Sequence, residues 1–396
     1  MATLGVNPVL KEVQNVTATE KYQLPDPDSF SGLLLTMIAL SGEFPIALAR
    51  RLSSSKTYAD FVVKRLKHDG LIRVYYRNGL RGLRLTAQAK KLLAANQPDH
   101  FSPLFAGDTA TSTPKYTLVH RLRLHRMAEV LVSMFNAGVT VFPWEKPVVF
   151  TPTLLDHAPY IDRPVYFSSR EVKNIGLMAN KIRGSRAAGI LLTDGDIFVV
   201  YNTGASEMKW EHKAEMRMKS FLEIELCLHR LPGQFAGVRQ NAILLGKSMD
   251  CLLPLVSVDS VNRQRYVLSG ESFPRFHYLT SDHHGEVALQ LLCDPDEKVA
   301  LDAVLSEDLS EPRPGLVMEN DAMDGDEPVL FGYTCDMPRI KRFDNALHIH
   351  NKKGTLYCFD FQEDVLRELC GPNISIRVID FDAYEGSVFH SAQEID

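Results

Sequence analysis

Two histidines separated by a single residue, His348 and His350, could together bind a divalent metal ion. If this segment is a β-strand, side chains at positions i and i+2 lie on the same face, and two imidazoles are suitable metal ligands. A tyrosine could then attack a bound phosphate, and Tyr357 and Tyr384 are available. No third ligand is evident. We therefore predict no catalytic or metal-binding residue. A metal-dependent nuclease or relaxase that uses His348 and His350 is the alternative function.

Other motifs for cofactor chemistry are missing from the sequence. There is no phosphate-binding GxxxxGK[ST] loop, no GxGxxG segment after a strand and no GxSxG nucleophile turn. The run Asp282-His283-His284-Gly285 lies at a predicted turn, where Asp and Gly are common without any metal. The six cysteines form no CxxC pair, which favours reduced thiols. We expect no cofactor.

The length of the apolar runs argues against a membrane location. The longest of them, such as Leu33–Leu40, are much shorter than the roughly 20 residues that a transmembrane helix needs, and the N-terminal residues lack a signal-peptide pattern. Together with the scattered cysteines, this pattern predicts a cytoplasmic protein with no membrane partner.

The net charge of −5 conceals a strong asymmetry along the chain. Residues 50–91 contain twelve Lys and Arg and only two acids, Asp60 and Asp69, which gives this segment a charge of +10 and the remainder −15. Residues 294–327 are conversely rich in Asp and Glu. A localised basic segment of this kind is typical of a surface that binds nucleic acid.

Residues 29–96 carry the helix, turn and hairpin signals of a winged helix-turn-helix domain. Apolar residues recur at helical spacing in three short stretches, of which the third, Lys56–His68, ends before a glycine. Two strand-like runs then surround Asn78-Gly79, which favours a tight hairpin turn. A closing helix is expected over Thr86–Ala95. Residues 1–28 are predicted to be a flexible tail.

In a winged helix, the third helix enters the major groove of duplex DNA, and we expect the hairpin to contact the backbone or the minor groove. Ala59, Val62 and Leu66 form the predicted inner face of the third helix. The predicted DNA-binding residues are therefore those on its outer face and on the hairpin. They are Lys56, Tyr58, Lys64, Arg65, Arg77, Asn78, Arg81 and Arg84. A protein-interaction module without DNA affinity is the alternative for this domain.

The rest of the chain is divided by composition into three parts. Residues 97–114 are predicted to be a linker, residues 115–250 an α/β core, and residues 251–396 a C-terminal α/β domain with an exposed acidic loop. Within the core, a helix is predicted from Tyr116 to about Asn136. Apolar residues such as Leu118 and Leu122 would face inward, and basic residues would face outward, namely His120, Arg121, Arg123, His125 and Arg126.

The segment from Arg186 to Gly204, RAAGILLTDGDIFVVYNTG, is the most regular hairpin signal in the chain. Together with the winged helix, a helix that contains His120 and a helix that carries Trp210 and Lys213, it resembles the replication-relaxation family of plasmids and conjugative elements. The resemblance spans about residues 30–245. It implies that residues 115–250 form a restriction-endonuclease-like core.

At the positions where this family has acidic residues, the sequence has Ala187-Ala188 and Val200-Tyr201-Asn202. A metal-dependent phosphodiesterase needs two or three carboxylates to hold Mg²⁺, which these residues do not supply. The resemblance therefore implies a nuclease-like core without a recognisable metal site. An unrelated α/β domain with a structural hairpin is the alternative.

The sequence as a whole predicts an α+β protein: a winged helix-turn-helix, a nuclease-like α/β core and a C-terminal α/β region. The predicted function is sequence-specific binding of double-stranded DNA, in an accessory role in replication initiation or strand relaxation of a plasmid or conjugative element. A relaxase or replication protein is the expected protein partner, and a homodimer is compatible with the sequence. A winged-helix transcriptional regulator is the nearest alternative.

Overall fold

The computed structural model describes residues 23–107, 111–115, 117–182, 184–206, 211–256, 272–313 and 318–393. Residues 1–22 of the predicted tail, Trp210, and residues 314–317 of the acidic loop lie outside these ranges. Contacts divide the chain into unit 1, residues 1–132, and unit 2, residues 133–396. Helices and sheets occur in both units, which confirms the mixed α+β class.

Unit 1 contains several helices and a three-stranded sheet. The first helix is capped by Ser29, whose hydroxyl accepts a hydrogen bond from the Gly32 N–H at 3.2 Å. The helices are α1 (Phe30–Ser41), α2 (Ile46–Ala49), α3 (Lys56–His68), α4 (Ala87–Asn96), α5 (Pro98–Phe105) and α6 (Leu118–Asn136), which continues past Val132. The strands are β1 (Phe44–Pro45), β2 (Ile72–Arg77) and β3 (Leu80–Leu85).

The sheet of unit 1 is antiparallel, with the order β1-β3-β2. β2 and β3 form a hairpin in which Arg77 pairs with Leu80. Its turn residues, Asn78 and Gly79, have φ values of 52° and 75°. Positive φ at both central positions is the geometry of a tight hairpin turn, and Asn-Gly adopts it at little cost. The predicted hairpin thus forms around the residues that favour it.

The predicted linker, residues 97–114, contains a helix that composition did not reveal. α5 begins with Pro98 at its first position, where the missing N–H costs nothing. It buries Phe101 and stacks that ring on Phe105, with the ring centroids 6.2 Å apart. Burial of these aromatic side chains outweighs the polar composition of the segment. Residues 108–110 lie outside the described ranges.

Unit 2 contains two sheets surrounded by helices. Its strands are β4 (Val165–Ser168), β5 (Gly189–Leu192), β6 (Ile197–Gly204), β7 (Gln240–Gly246), β8 (Phe276–Thr280), β9 (Ala322–Asp324), β10 (Glu327–Phe331), β11 (Gly354–Phe359) and β12 (Ile374–Ile379). Its α-helices are α7 (Ser169–Val172), α8 (His212–Phe221), α9 (Pro232–Phe235), α10 (Leu253–Val256), α11 (His283–Cys293), α12 (Pro295–Leu305), α13 (Met337–Ile349), α14 (Glu363–Leu369) and α15 (Phe381–Gln393). Short 3₁₀ segments and a π-helix, Leu222–Arg230, complete it.

The first sheet of unit 2 has the order β4-β5-β6-β7-β8, antiparallel from β4 to β6 and parallel from β6 to β8. The second has the order β12-β11-β10-β9 and is parallel except between β10 and β9. Because β8 pairs with β7, the first sheet continues past residue 250, where the sequence suggested a division. One hydrophobic cluster contains residues of both sheets, among them Leu244 and Leu356.

Two sequence motifs occupy elements other than those predicted. Asp282 caps α11, and its carboxylate accepts a hydrogen bond from the Gly285 N–H at 3.3 Å, so the Asp-His-His-Gly run is a helix start rather than a turn between strands. His348 lies in the last turn of α13 and His350 follows its end. No described helix is both long and apolar enough to cross a bilayer.

Candidate nucleic-acid interface

Helix α3 carries the first group of predicted DNA-binding residues. Its N-terminus is capped by Ser55, whose hydroxyl accepts a hydrogen bond from the Tyr58 N–H at 3.3 Å. Ala59, Val62 and Leu66 are buried, as their spacing predicts. The helix ends at His68 with Asp69 as its C-cap, and Gly70 follows with a φ of 69°. These local signals fix which face of α3 points outward.

The outward face of α3 exposes all four residues predicted for it, Lys56, Tyr58, Lys64 and Arg65. Arg65 lies 3.8 Å from the Asp69 carboxylate, in an ion pair that remains well exposed. A pair of this kind contributes little to stability, because water screens both charges. The Arg65 guanidinium can therefore exchange this partner for a phosphate at small cost.

The hairpin β2–β3 exposes three of the four residues predicted on it. Arg77, Asn78 and Arg81 are accessible at and beside the turn. The Arg81 guanidinium lies over the ring of Tyr76, 5.8 Å from its centroid, and Tyr76 is 66% exposed. The stacking holds Arg81 at the surface of the hairpin without neutralising its charge.

Arg84 does not belong to this surface, and its predicted exposure on the hairpin is wrong. Its side chain is buried, with 2% of the residue exposed. Nε and Nη2 donate to Oε2 of Glu43 at 2.9 and 2.5 Å. A guanidinium that is desolvated and paired with a carboxylate inside the domain cannot reach a phosphate.

The outward placement predicted for Arg121 and His125 on α6 is also wrong. Arg121 is fully buried, and its Nη2 donates to Oε1 of Glu43 at 2.6 Å. Nε2 of His125 lies 2.8 Å from the same oxygen. Conversely, Leu118 and Leu122, predicted to face inward, are exposed. The inward stripe of α6 is thus partly polar, because a buried carboxylate faces it.

Arg121 also connects Glu43 to the hairpin. Its Nη1 donates to the Arg77 carbonyl at 2.7 Å, and its Nη2 lies 3.2 and 3.1 Å from the carbonyls of Tyr75 and Leu80. The Arg84 and Arg121 guanidinium carbons lie 4.2 and 4.6 Å from the centroid of the Tyr75 ring. These contacts anchor both strands of the hairpin next to its turn.

Glu43 is the centre of this buried network. Burial by itself would raise the pKa of its carboxyl, but the hydrogen bonds from His125, Arg121 and Arg84 outweigh that effect and lower the pKa to about 2. The carboxylate is therefore ionised throughout the neutral range. Gly82 leaves room for it, since a Cβ at this position would lie 2.5 Å from both Cγ and Oε1 of Glu43.

Glu43 and two exposed aromatic residues, Phe61 and Tyr76, were not predicted from the sequence. Glu43 is the only acid in residues 29–59 and is flanked by apolar segments, a pattern that indicates a buried charge in need of partners. Phe61 is 58% exposed and lies one turn from Tyr58 and Arg65 on the outward face of α3. Phe61 and Tyr76 could have been found from the same helical and strand spacing that identified the neighbouring basic residues.

The two histidines considered for catalysis do not share a strand face. His348 lies on α13 and His350 caps its C-terminus, so the i and i+2 argument does not apply to them. Within the described residues, no group of three His, Cys, Asp or Glu side chains is arranged to hold a metal ion. The strand geometry on which this enzymatic alternative depended is therefore wrong.

The hairpin of β5 and β6 lies beside one buried carboxyl group. Glu215 of α8 accepts hydrogen bonds from the Tyr201 hydroxyl at 2.9 Å, the Ser185 hydroxyl at 2.8 Å and the Arg186 N–H at 2.8 Å. Burial raises the pKa of Glu215, which these three hydrogen bonds only partly oppose. Ala187 and Ala188 are buried beside the sheet. A single carboxyl surrounded by uncharged donors is suited to packing rather than to binding a divalent cation.

Comparison with known protein families, with curated proteins and with solved structures finds no match to this chain.

Proposed function

We propose that this chain binds duplex DNA through the outward face of α3 and the hairpin β2–β3. The order α1, β1, α2, α3, β2, β3, with the sheet order β1-β3-β2, is the arrangement expected of a winged helix. In such domains the third helix lies in the major groove and reads base edges. The hairpin contacts the sugar-phosphate backbone beside it.

One observation carries this proposal, namely how the basic residues of unit 1 are divided between its interior and its surface. Arg84 and Arg121 point inward, and both are ion-paired with the Glu43 carboxylate. The other predicted basic residues remain exposed on two adjoining elements, Lys56, Lys64 and Arg65 on α3 and Arg77 and Arg81 on the hairpin. Exposed cations concentrated on one helix and one hairpin favour a polyanionic partner.

Two biological settings are candidates for this DNA binding. The resemblance to the replication-relaxation family supports an accessory role in replication initiation or strand relaxation of a plasmid or conjugative element, with unit 2 as the part that binds a relaxase or replication protein. A cavity beside the hairpin, lined by Arg73 and Lys90, favours a second candidate, a winged-helix transcriptional regulator that responds to a small molecule. Both candidates use the same DNA-binding surface.

A salt titration of DNA binding tests the proposal. The full chain would be titrated into fluorescently labelled duplexes, first from a random-sequence selection and then of the enriched sequence, at several salt concentrations. Each phosphate contact contributes about 0.9 to the slope of log K against log salt. We expect Lys64→Ala/Arg81→Ala to weaken binding and to lower the magnitude of the slope by about 1.8.

The matched control removes two exposed lysines of unit 2, in the variant Lys352→Ala/Lys353→Ala. It changes the net charge by the same amount and should leave both affinity and slope unchanged. Equal effects of the two double variants would mean that the interaction is non-specific attraction to the whole chain. No effect of Lys64→Ala/Arg81→Ala would contradict the proposed surface.

The enzymatic alternative has its own test. Supercoiled plasmid would be incubated with the protein and Mg²⁺ or Mn²⁺, and nicking would be followed on a gel. Under the proposal, the plasmid stays intact. Nicking that a chelator and the substitution His348→Ala both abolish would establish a nuclease or relaxase instead.

A further inference from the structure

Unit 1 contains a cavity that the proposed DNA-binding surface does not use. It has a volume of about 660 Å³ and lies between the end of α1, the hairpin strands, the start of α4, residues 111–115 and Thr117. Sites for small molecules are typically about 300–1,000 Å³. The cavity is therefore large enough for a metabolite-sized ligand.

Four basic side chains line this cavity, Arg73, Arg84, Lys90 and Lys115. None of the described residues that line it is acidic. Arg84 is ion-paired with Glu43, which lies outside the lining. Arg73, Lys90 and Lys115 thus contribute positive charge that no carboxylate of the lining compensates.

The register of the hairpin places two of these charges side by side. Arg73 and Arg84 are directly paired across β2 and β3, so their side chains leave the sheet on the same face. Like charges in such a pair destabilise a sheet. An anion in the cavity would offset this repulsion at Arg73, as Glu43 already does at Arg84.

Lys90 closes the other side of the cavity. Its Nζ donates to the carbonyls of Thr111 and Ser112 and so holds residues 111–112 against α4. Partial burial and the nearby charges of Arg73 and Arg84 lower the pKa of Lys90. The site therefore already has an unfavourable excess of positive charge, which a bound anion would relieve.

We infer that this cavity binds a small organic anion with phosphate or carboxylate groups. Arg73, Lys90 and Lys115 would contact the charged groups, and the apolar side chains of Ala87 and Pro114 would pack against the remainder of the ligand. Charge-assisted hydrogen bonds of this type are strong when the site is partly shielded from water. The site is distinct from the predicted DNA contacts on α3, and its ligand binding does not depend on the proposed function.

Calorimetric titration of the full chain in the absence of DNA tests this inference. The probes are inorganic phosphate, adenosine monophosphate and succinate, each at an ionic strength matched with chloride. Comparison of the first two with succinate distinguishes phosphate from carboxylate recognition. Arg73→Gln/Lys115→Gln removes two cavity charges while leaving Lys90 to hold residues 111–112. We expect at least one probe to bind saturably and this double variant to weaken it by about tenfold or more.

Two control variants locate the binding. Lys91→Gln removes an exposed charge next to Lys90 that does not line the cavity, and it should bind the probe as the parent does. Lys64→Gln/Arg81→Gln removes charge from the predicted DNA surface and should also leave probe binding unchanged. If no probe binds beyond the chloride control, or if only Lys64→Gln/Arg81→Gln weakens binding, the inference is wrong. Neither outcome would bear on the salt dependence of DNA binding.

Discussion

Glu43 in unit 1 and Glu215 in unit 2 are both completely buried, yet their surroundings differ in kind. Glu43 lies among two arginines and a histidine, and its pKa is lowered to about 2. Glu215 receives hydrogen bonds from two hydroxyls and one backbone N–H, and burial raises its pKa. The hydrogen-bonding partners of a buried carboxyl, and not burial alone, decide whether its pKa is lowered or raised.

The two carboxyls also have different structural roles in their units. Unit 1 carries an excess of basic residues, and an ionised Glu43 allows two of them to be buried as anchors of the hairpin while others stay exposed. In unit 2, Glu215 lies beside the hairpin of β5 and β6. There it binds Tyr201 and Ser185 and helps to join α8 to the sheet.

The largest effect is expected from Glu43→Gln. The substitution leaves Arg84 and Arg121 buried without a counter-charge, and breaking a buried ion pair on one side typically costs about 3–5 kcal/mol. We expect a lower free energy of unfolding in denaturant titrations and faster amide hydrogen exchange over residues 72–85. A loss below about 1 kcal/mol would show that the network is not the main anchor of the hairpin.

Acid should abolish the contribution of Glu43. Its folded-state pKa of about 2 lies below the ordinary value of 4.5, so its stabilisation is complete above about pH 4.5 and is lost as the pH falls toward 2. A shift of this size corresponds to about 3 kcal/mol. The measurement is the difference in unfolding free energy between the parent and Glu43→Gln, followed from pH 6 to pH 2, which we expect to shrink by about this amount. A constant difference would contradict the lowered pKa.

A smaller loss is expected from Gly82→Ala. The added Cβ would meet the Glu43 side chain at 2.5 Å, and overpacking of this kind typically costs about 1–3 kcal/mol. Gly195→Ala is the control, because a Cβ there meets nothing within 4 Å. Thermal unfolding should show a lower midpoint for the first variant only. Equal midpoints for both variants would mean that the carboxylate can move aside freely.

The smallest effect is expected from Glu215→Gln. A raised pKa means that the ionised form of Glu215 is disfavoured in the folded state. The free energy of unfolding therefore falls as the pH rises above the pKa that this carboxyl has in the unfolded chain. An amide keeps the size of the side chain, and its oxygen and nitrogen can bond the same three partners. We expect a change below about 1 kcal/mol at pH 7, measured as for Glu43→Gln. A loss as large as that of Glu43→Gln would remove the contrast between the two sites.

Local signals in the sequence were sufficient for the elements that carry the proposed interface. The apolar spacing of Ala59, Val62 and Leu66 predicted a helix with the bounds Lys56–His68, which α3 has. Asn78-Gly79 marked the hairpin turn, because these residues adopt positive φ at little cost. In both cases the information lies within a few neighbouring residues.

Predictions failed where a distant partner decides the outcome. Hydropathy placed the basic residues of α6 in solvent, but Arg121 is buried because Glu43, which lies 78 residues earlier, faces it. Composition made residues 97–114 a linker, but burial of Phe101 stabilises α5. The spacing of His348 and His350 fits a strand face as well as a helix end, and the packing of Ile340, Phe343 and Leu347 favours α13.

The sequence by itself determined that the chain is a mixed α+β protein with a strongly basic segment, a helix and a hairpin near its N-terminus. Only the tertiary structure decided which arginines are available at the surface. Arg73 and Arg84 are paired across β2 and β3 and leave the sheet on the same face, yet Arg73 is exposed and Arg84 is buried against Glu43. The physical reason is that burying a charge requires an opposite charge at hydrogen-bonding distance, and that partner is supplied by the fold rather than by neighbouring residues.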